Sequence, residues 1–310
     1  MKSTKKIITL TLVIILALAT LSFVACGSNE AAPTEKSYEL AIGVVVSPST
    51  ASGKVTETVA TIVTDADGKI VVCRVDCIEY SALKSGELNT TAPTSKVAQG
   101  ENYMMPAGSW ATQVKALENF VIGKTQAEVA EVVANGYAAD ADLKASCSFY
   151  IADLTKAIDN AFKSEHKVTF TTTATAFTAG LSATGSVKDT SDDTALNAKF
   201  TADFCAAVLA DGKVVAAIVD TAETELKNIT EEGTETISFD GTKREQGDAY
   251  DSYAPMAAGR WYQQVDAFAQ SAVGKTASDI ATLASEGVAG CTIYAGGYKA
   301  GIEAAVKAAR

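Results

Sequence analysis

The chain predicts an α+β fold: two tandem copies of one domain, each an antiparallel β-hairpin sheet packed against an α-α hairpin and a terminal helix. Three observations predict it. Asp67-Gly68-Lys69-Ile70-Val71 returns as Asp211-Gly212-Lys213-Val214-Val215, and Val75-Asp76 returns as Val219-Asp220, at an offset of 144 residues. Each Asp-Gly pair sits between β-prone runs, as the turn of a tight hairpin would. Downstream, Trp110, Val114, Leu117 and Val121 fall at helical spacing and are matched by Trp261, Val265, Phe268 and Ala272.

Each copy opens with strand-like chain, Tyr38 to Ser47 and Lys167 to Leu181, the latter rich in Thr, Val and Phe. Val55 to Thr64 then leads into the first Asp-Gly turn, after which Val71, Cys73, Val75 and Cys77 mark one face at period two. A loop follows, reading Gln99 to Trp110 in copy one and Gln246 to Trp261 in copy two, with four more residues after the tyrosine in the second. The tryptophan begins a helix that stops at Gly123 or Gly274. Thr125 with Glu128, or Thr276 with Asp279, caps the next helix. Cys147-Ser148-Phe149-Tyr150, repeated as Cys291-Thr292-Ile293-Tyr294, reads as a short strand before the terminal helix. The domain spans are 37–163 and 167–310, a division that the roughly 285 residues following the leader also favour, since they exceed a comfortable single core.

The N-terminus predicts export. Lys2, Lys5 and Lys6 precede an apolar run from Ile7 to Ala25, and small Ala25 stands directly before Cys26-Gly27. This resembles the bacterial lipobox, with Phe23 where Leu is usual. The expectation is a signal peptide over 1–25, diacylglycerol on Cys26, a polar tether over 26–36, and a body held on the outer face of the cytoplasmic membrane. Loss of Lys2, Lys5 and Lys6 takes the formal charge from −11 to −14. Such an acidic body argues against nucleic acid as a partner.

Five cysteines remain beyond Cys26, an odd number that precludes complete internal pairing. Cys73 and Cys77, roughly 13 Å apart along an extended strand, cannot bridge each other; they read as core thiols, and a disulfide from Cys205 stays open. Gly123-Lys124-Thr125 and Gly274-Lys275-Thr276 lack the earlier glycine and preceding strand of a phosphate loop, so cap chemistry explains them. His166, the one histidine, lies in the connector between copies without a twin. No catalytic or metal-ligating set stands out, and the chain reads as a binding protein before an enzyme.

The repeated loop is the candidate site. Gln99, Glu101, Tyr103 and Trp110 in copy one, and Gln246, Asp248, Tyr250, Tyr253 and Trp261 in copy two, combine amides and carboxylates with aromatic faces able to stack on a planar ligand. Recurrence in both copies is equally compatible with a retained scaffold, and both readings stand at this point.

With the export signal, the duplicated Asp-Gly-Lys hairpin and the Gly-[Glu/Asp]-x-Tyr, Gly-x-Trp and Gly-Lys-Thr series, the chain resembles clostridial-type surface lipoproteins, some labelled FMN-binding-domain-like. That resemblance implies a possible flavin site. Neither copy has the Ser-Gly-Ala-Thr type acceptor of covalently flavinylated relatives; Ser182-Ala183-Thr184-Gly185 has similar letters in another order. Any FMN is therefore expected to bind noncovalently at the repeated loop. The alternative is a non-catalytic structural or interaction lipoprotein, with protein partners undetermined.

Overall fold

The computed structural model describes residues 34–251 and 258–310. The segment expected to be a signal peptide (1–25), Cys26, most of the expected tether and Tyr253 lie outside the described residues.

The strands explain the layers. Leu40 to Val45 and Glu57 to Thr64 are buried at every position rather than at alternate ones. A strand with both faces buried must have something packed on each side. Strands β1 (Lys36–Ser49), β2 (Lys54–Thr64) and β3 (Ile70–Ser81) form an antiparallel meander. Helices α1 (Lys96–Gln99), α2 (Trp110–Phe120), α3 (Gln126–Ala130), α4 (Ala141–Ser146) and α5 (Ala152–Lys163) follow. Then come β4 (Val168–Thr172), β5 (Thr178–Asp189), β6 (Leu196–Ala210), β7 (Lys213–Thr230) and β8 (Gly233–Ser238). Helices α6 (Lys243–Gln246), α7 (Trp261–Gln270), α8 (Ala277–Ala281) and α9 (Gly296–Lys307) finish the chain. The two antiparallel sheets have the orders β4-β1-β2-β3 and β5-β6-β7-β8.

One face of each sheet meets the other sheet. Leu40, Ile42, Val59 and Tyr80 pack in a single cluster with Leu181, Phe200, Phe204 and Ile218. The opposite faces carry helices: Ala41, Ile62, Cys73 and Val75 pack on α2 and α5, and Cys205, Ala207 and Val219 on α7 and α9. The order is helix, sheet, sheet, helix. Gly43 on β1 and Gly180 on β5 allow the closest crossings, since a Cβ on Gly43 would collide with the α5 backbone at Ala157 and Ala161, and one on Gly180 with Ala305 of α9.

The antiparallel sheets with helices are as expected, but several finer expectations change. Residues 35–310 form one compact unit, and the largest apolar cluster is shared by both copies instead of each copy enclosing its own. The boundary at residue 167 is also crossed. β4, read as the opening of copy two, pairs with β1 in the sheet of copy one, Tyr38 opposite Phe170. The α-α hairpin becomes a longer helix followed by a five-residue one, α3 or α8, that packs on the terminal helix. No strand forms at Cys147 to Tyr150 or at Cys291 to Tyr294. There the backbone is tied to α2 or α7: Gln113 Oε1 accepts from the Ser148 amide at 2.9 Å, and Gln264 Oε1 from the Thr292 amide at 2.8 Å.

The hairpin turns differ as well. Asp211 and Gly212 both take positive φ, 51° and 75°, as a two-residue turn requires. In copy one only Gly68 of the pair does, because the Asp65 carboxylate accepts from the amides of Asp67 and Lys69 and builds a wider loop. Cys73, Val75 and Cys77 share the helix-facing side as expected, whereas Val71, beyond the register irregularity at Val63 and Thr64, packs toward the other sheet. All five described cysteines are free and buried, Cys205 included.

Candidate ligand clefts at the repeated loop

A buried aspartate on the third strand of each copy anchors the start of the loop. Asp76 Oδ1 accepts from the amides of Cys77 at 2.7 Å and Val97 at 3.0 Å. Asp220 Oδ1 does the same with Thr221 at 2.8 Å and Arg244 at 3.2 Å. Burial pushes both carboxyls up to about 6, against the hydrogen bonds that favour their charged forms.

The anchored helix carries a lysine inward. Lys96 Nζ lies 2.8 Å from Glu79, 4.9 Å from the Tyr103 ring centre and 5.8 Å from that of Trp110. Lys243 Nζ lies 3.1 Å from Glu223, 4.8 Å from the Tyr250 ring and 5.3 Å from the Trp261 ring. Burial works against each ammonium. In copy one Cys77 and Glu79 more than offset it, in copy two Tyr298, Tyr250 and Glu223 do, and both lysines are held above the usual range. The ammonium groups are firmly protonated and lie over aromatic rings.

A cleft opens at each loop, with Lys96 in the wall of the first and Lys243 set against Glu223 and Tyr250 of the second. In copy one it measures about 410 Å³ and is lined by Glu79, Thr94, Lys96, Gln99 and Tyr103 among others. In copy two it measures about 380 Å³ and is lined by Lys199, Glu223, Glu225, Asp240, Gln246 and Tyr250 among others. Gln99 Nε2 donates to Thr94 O at 2.9 Å and Gln246 Nε2 to Gly241 O at 2.8 Å, and among the described residues no side-chain hydrogen bond occupies either amide oxygen. Tyr103 also donates its hydroxyl to Glu79 Oε2 at 3.3 Å.

The structure thus brings Gln99 with Tyr103, and Gln246 with Tyr250, to the clefts. Trp110 and Trp261 are each only 3% exposed and lie beneath the lysines. Trp110 stacks on Phe149, and Trp261 donates its indole N–H to Tyr298 at 3.3 Å. Glu101 is turned to the framework, accepting from the Ser109 hydroxyl at 3.0 Å. Asp248 accepts from the Tyr262 hydroxyl at 3.1 Å and pairs with Arg260 at 3.6 Å. His166 packs its ring on Tyr262, with centres 4.5 Å apart. Among the described residues no group of three or more His, Cys, Asp or Glu could hold a metal ion, and no helix is long and apolar enough to cross a membrane.

The lysines and their glutamates escaped the sequence reading although the signal was present. Lys96 and Lys243 stand at the offset of 147 that relates Gln99 to Gln246, and Glu79 and Glu223 at the offset of 144. Comparison with protein-family models, with curated proteins and with solved structures finds no match to the chain.

Proposed function

We propose that the protein is an exported, lipid-anchored binding protein that holds a small polar ligand in each of its two loop clefts at the outer face of the cytoplasmic membrane. One observation carries this reading: the same glutamate, glutamine and tyrosine line a cleft in both repeats, each with a lysine against the glutamate and the tyrosine ring, through residues from separate elements. A scaffold needs the buried aspartate and tryptophan. It does not need a buried lysine over the rings, whose desolvation is costly.

The chemistry favours a polar ligand over a planar one. Stacking of FMN on Trp110 or Trp261 would require Lys96 or Lys243 to leave a position where a carboxylate and two rings hold it. The cleft walls offer carboxylates, an amide and a phenol instead. The test is equilibrium binding with small polar compounds and with FMN. Tyr103→Ala and Tyr250→Ala should each remove one equivalent of a polar ligand, whereas FMN binding that survives both would overturn the reading.

A further inference from the structure

The two clefts lie back to back across the paired sheets. On β3, Ile78 packs in the shared core, so its neighbour Glu79 points outward, where it lines the first cleft. On β7, Ala222 and Leu226 pack in the same core and Thr224 between them faces the same way; Glu223 and Glu225 therefore point outward and line the second cleft. Glu57 stands between the two. It pairs with Ile78 across β2 and β3, and it accepts the Thr224 hydroxyl at 3.1 Å from the other sheet. A single step along β3 or β7 leads from this buried contact to a cleft wall.

The contact is incomplete. Glu57 and Thr224 are both fully buried, and Glu57 Oε2 has no hydrogen-bond partner among the described residues. A neutral acid tolerates such a place far better than a carboxylate does. Its strand neighbours, Val46 on β1 and Ile78 on β3, are apolar. Glu79, Glu223 and Glu225 stand on the far faces of β3 and β7. Burial pushes the carboxyl up to about 8; Asp203 on β6 adds to the effect, and the Thr224 hydrogen bond opposes it.

We propose that Glu57 is a proton-operated latch for both clefts: the neutral acid holds β2 and its neighbour β3 against β7, and loss of the proton parts the sheets there and loosens both clefts together. The carboxylate is solvated only by drawing water between β2 and β7, which displaces the strands carrying Glu79, Glu223 and Glu225. Glu79 and Glu223 hold Lys96 and Lys243 over the loop rings. A displaced strand therefore frees each lysine and uncovers the tryptophan beneath it. This regulation rests on the twin clefts being the functional sites.

The chain has two tryptophans, Trp110 under the first lysine and Trp261 under the second, each 3% exposed, so the latch can be read without a ligand. Two single-tryptophan proteins are made in the full chain in detergent: Trp261→Phe, which leaves Trp110, and Trp110→Phe, which leaves Trp261. Their quenching by acrylamide is followed from pH 7 to 9.5. Quenching should rise about twofold in each through a reversible step at about pH 8. Glu57→Gln, which keeps an acceptor for Thr224 and cannot ionise, should remove both steps, with far-UV circular dichroism to check its fold. Thr224→Val deletes the hydrogen bond that favours the ion and should move both steps to higher pH, which decides the matter should Glu57→Gln fail to fold. Flat quenching in the two proteins, a step that survives Glu57→Gln or stays in place in Thr224→Val, or a step in one tryptophan alone would overturn the latch. None of these outcomes touches the ligand test at Tyr103 and Tyr250, so the latch and the twin-cleft reading fail separately.

Discussion

Thr224 donates its hydroxyl to Glu57 Oε1 at 3.1 Å across the gap between the two sheets. Glu57 is fully buried on β2, between Val55 and Val59 of the shared core, and its Oε2 has no hydrogen-bond partner among the described residues. A carboxyl so placed is held as the neutral acid: burial pushes it up to about 8, and nearby Asp203 adds to the effect against the Thr224 hydrogen bond.

The sign of the pH dependence follows. Glu57 ionises near its ordinary 4.5 when unfolded and near 8 when folded, so its contribution is complete below about pH 4.5 and is lost as pH rises toward 8. Asp76 and Asp220 act in the same direction, but only up to about 6. Between pH 6 and 8 the wild-type protein should lose stability at up to about 1.4 kcal/mol per pH unit, and Glu57→Gln should flatten that slope. Denaturant unfolding at intervals of half a pH unit measures it; a slope unchanged in the variant would remove Glu57 as its source.

Gly43→Ala should be among the most damaging small substitutions. The added methyl meets the α5 backbone, which cannot rotate aside as a side chain would. The expected loss is about 3 kcal/mol or failure to fold, and Gly180→Ala should behave alike against α9. Thermal unfolding decides, and a variant within a degree of wild type would show that the helix can slide.

Much of this architecture was legible in the sequence, and the unread parts have physical reasons. Repeat offsets and turn residues are local, so the hairpins and helix starts could be read directly. Face-to-face packing is not local, and its signal, the runs Ala41 to Val46 and Val214 to Val219 without alternating polar residues, went unread. β4 was placed with copy two instead of beside β1, because Val168 to Thr172 has strand propensity but nothing naming its neighbour. At the first cleft, Gln99 and Tyr103 could be named from the sequence because amide and aromatic groups have an evident way to meet a ligand. Lys96 was passed over because a lysine is read as solvated until its carboxylate and rings are seen in space.

Glu118 ties the two halves together. Its carboxylate accepts from Arg310 at 2.7 Å and from the Val75 amide at 2.9 Å, with Arg74 at 3.8 Å. Arg74 in turn donates to Ala179 O at 2.9 Å and to Arg310 O. Glu118→Ala leaves Arg74 without its charge partner in a mostly buried place, and should cost about 3 kcal/mol. Chemical denaturation reads the loss, and a change under half a kcal/mol would mark the network as superficial.

The membrane anchor has a separate test. Cys26→Ala should leave the precursor uncleaved and unlabelled by an alkynyl fatty acid in cells, because the proposed anchor makes the Cys26 thiol the lipid acceptor and the Cys26 amine the new N-terminus. Labelling that persists in the variant would refute the assignment.

The most direct measurement of the central claim is native mass spectrometry of the protein purified from its own membranes, beside the variant Tyr103→Ala/Tyr250→Ala. The twin-cleft account predicts one small polar compound at up to two equivalents, both lost in the double variant. A compound retained at full stoichiometry by that variant, or a bare protein that takes up no compound from its own cell extract, would contradict it.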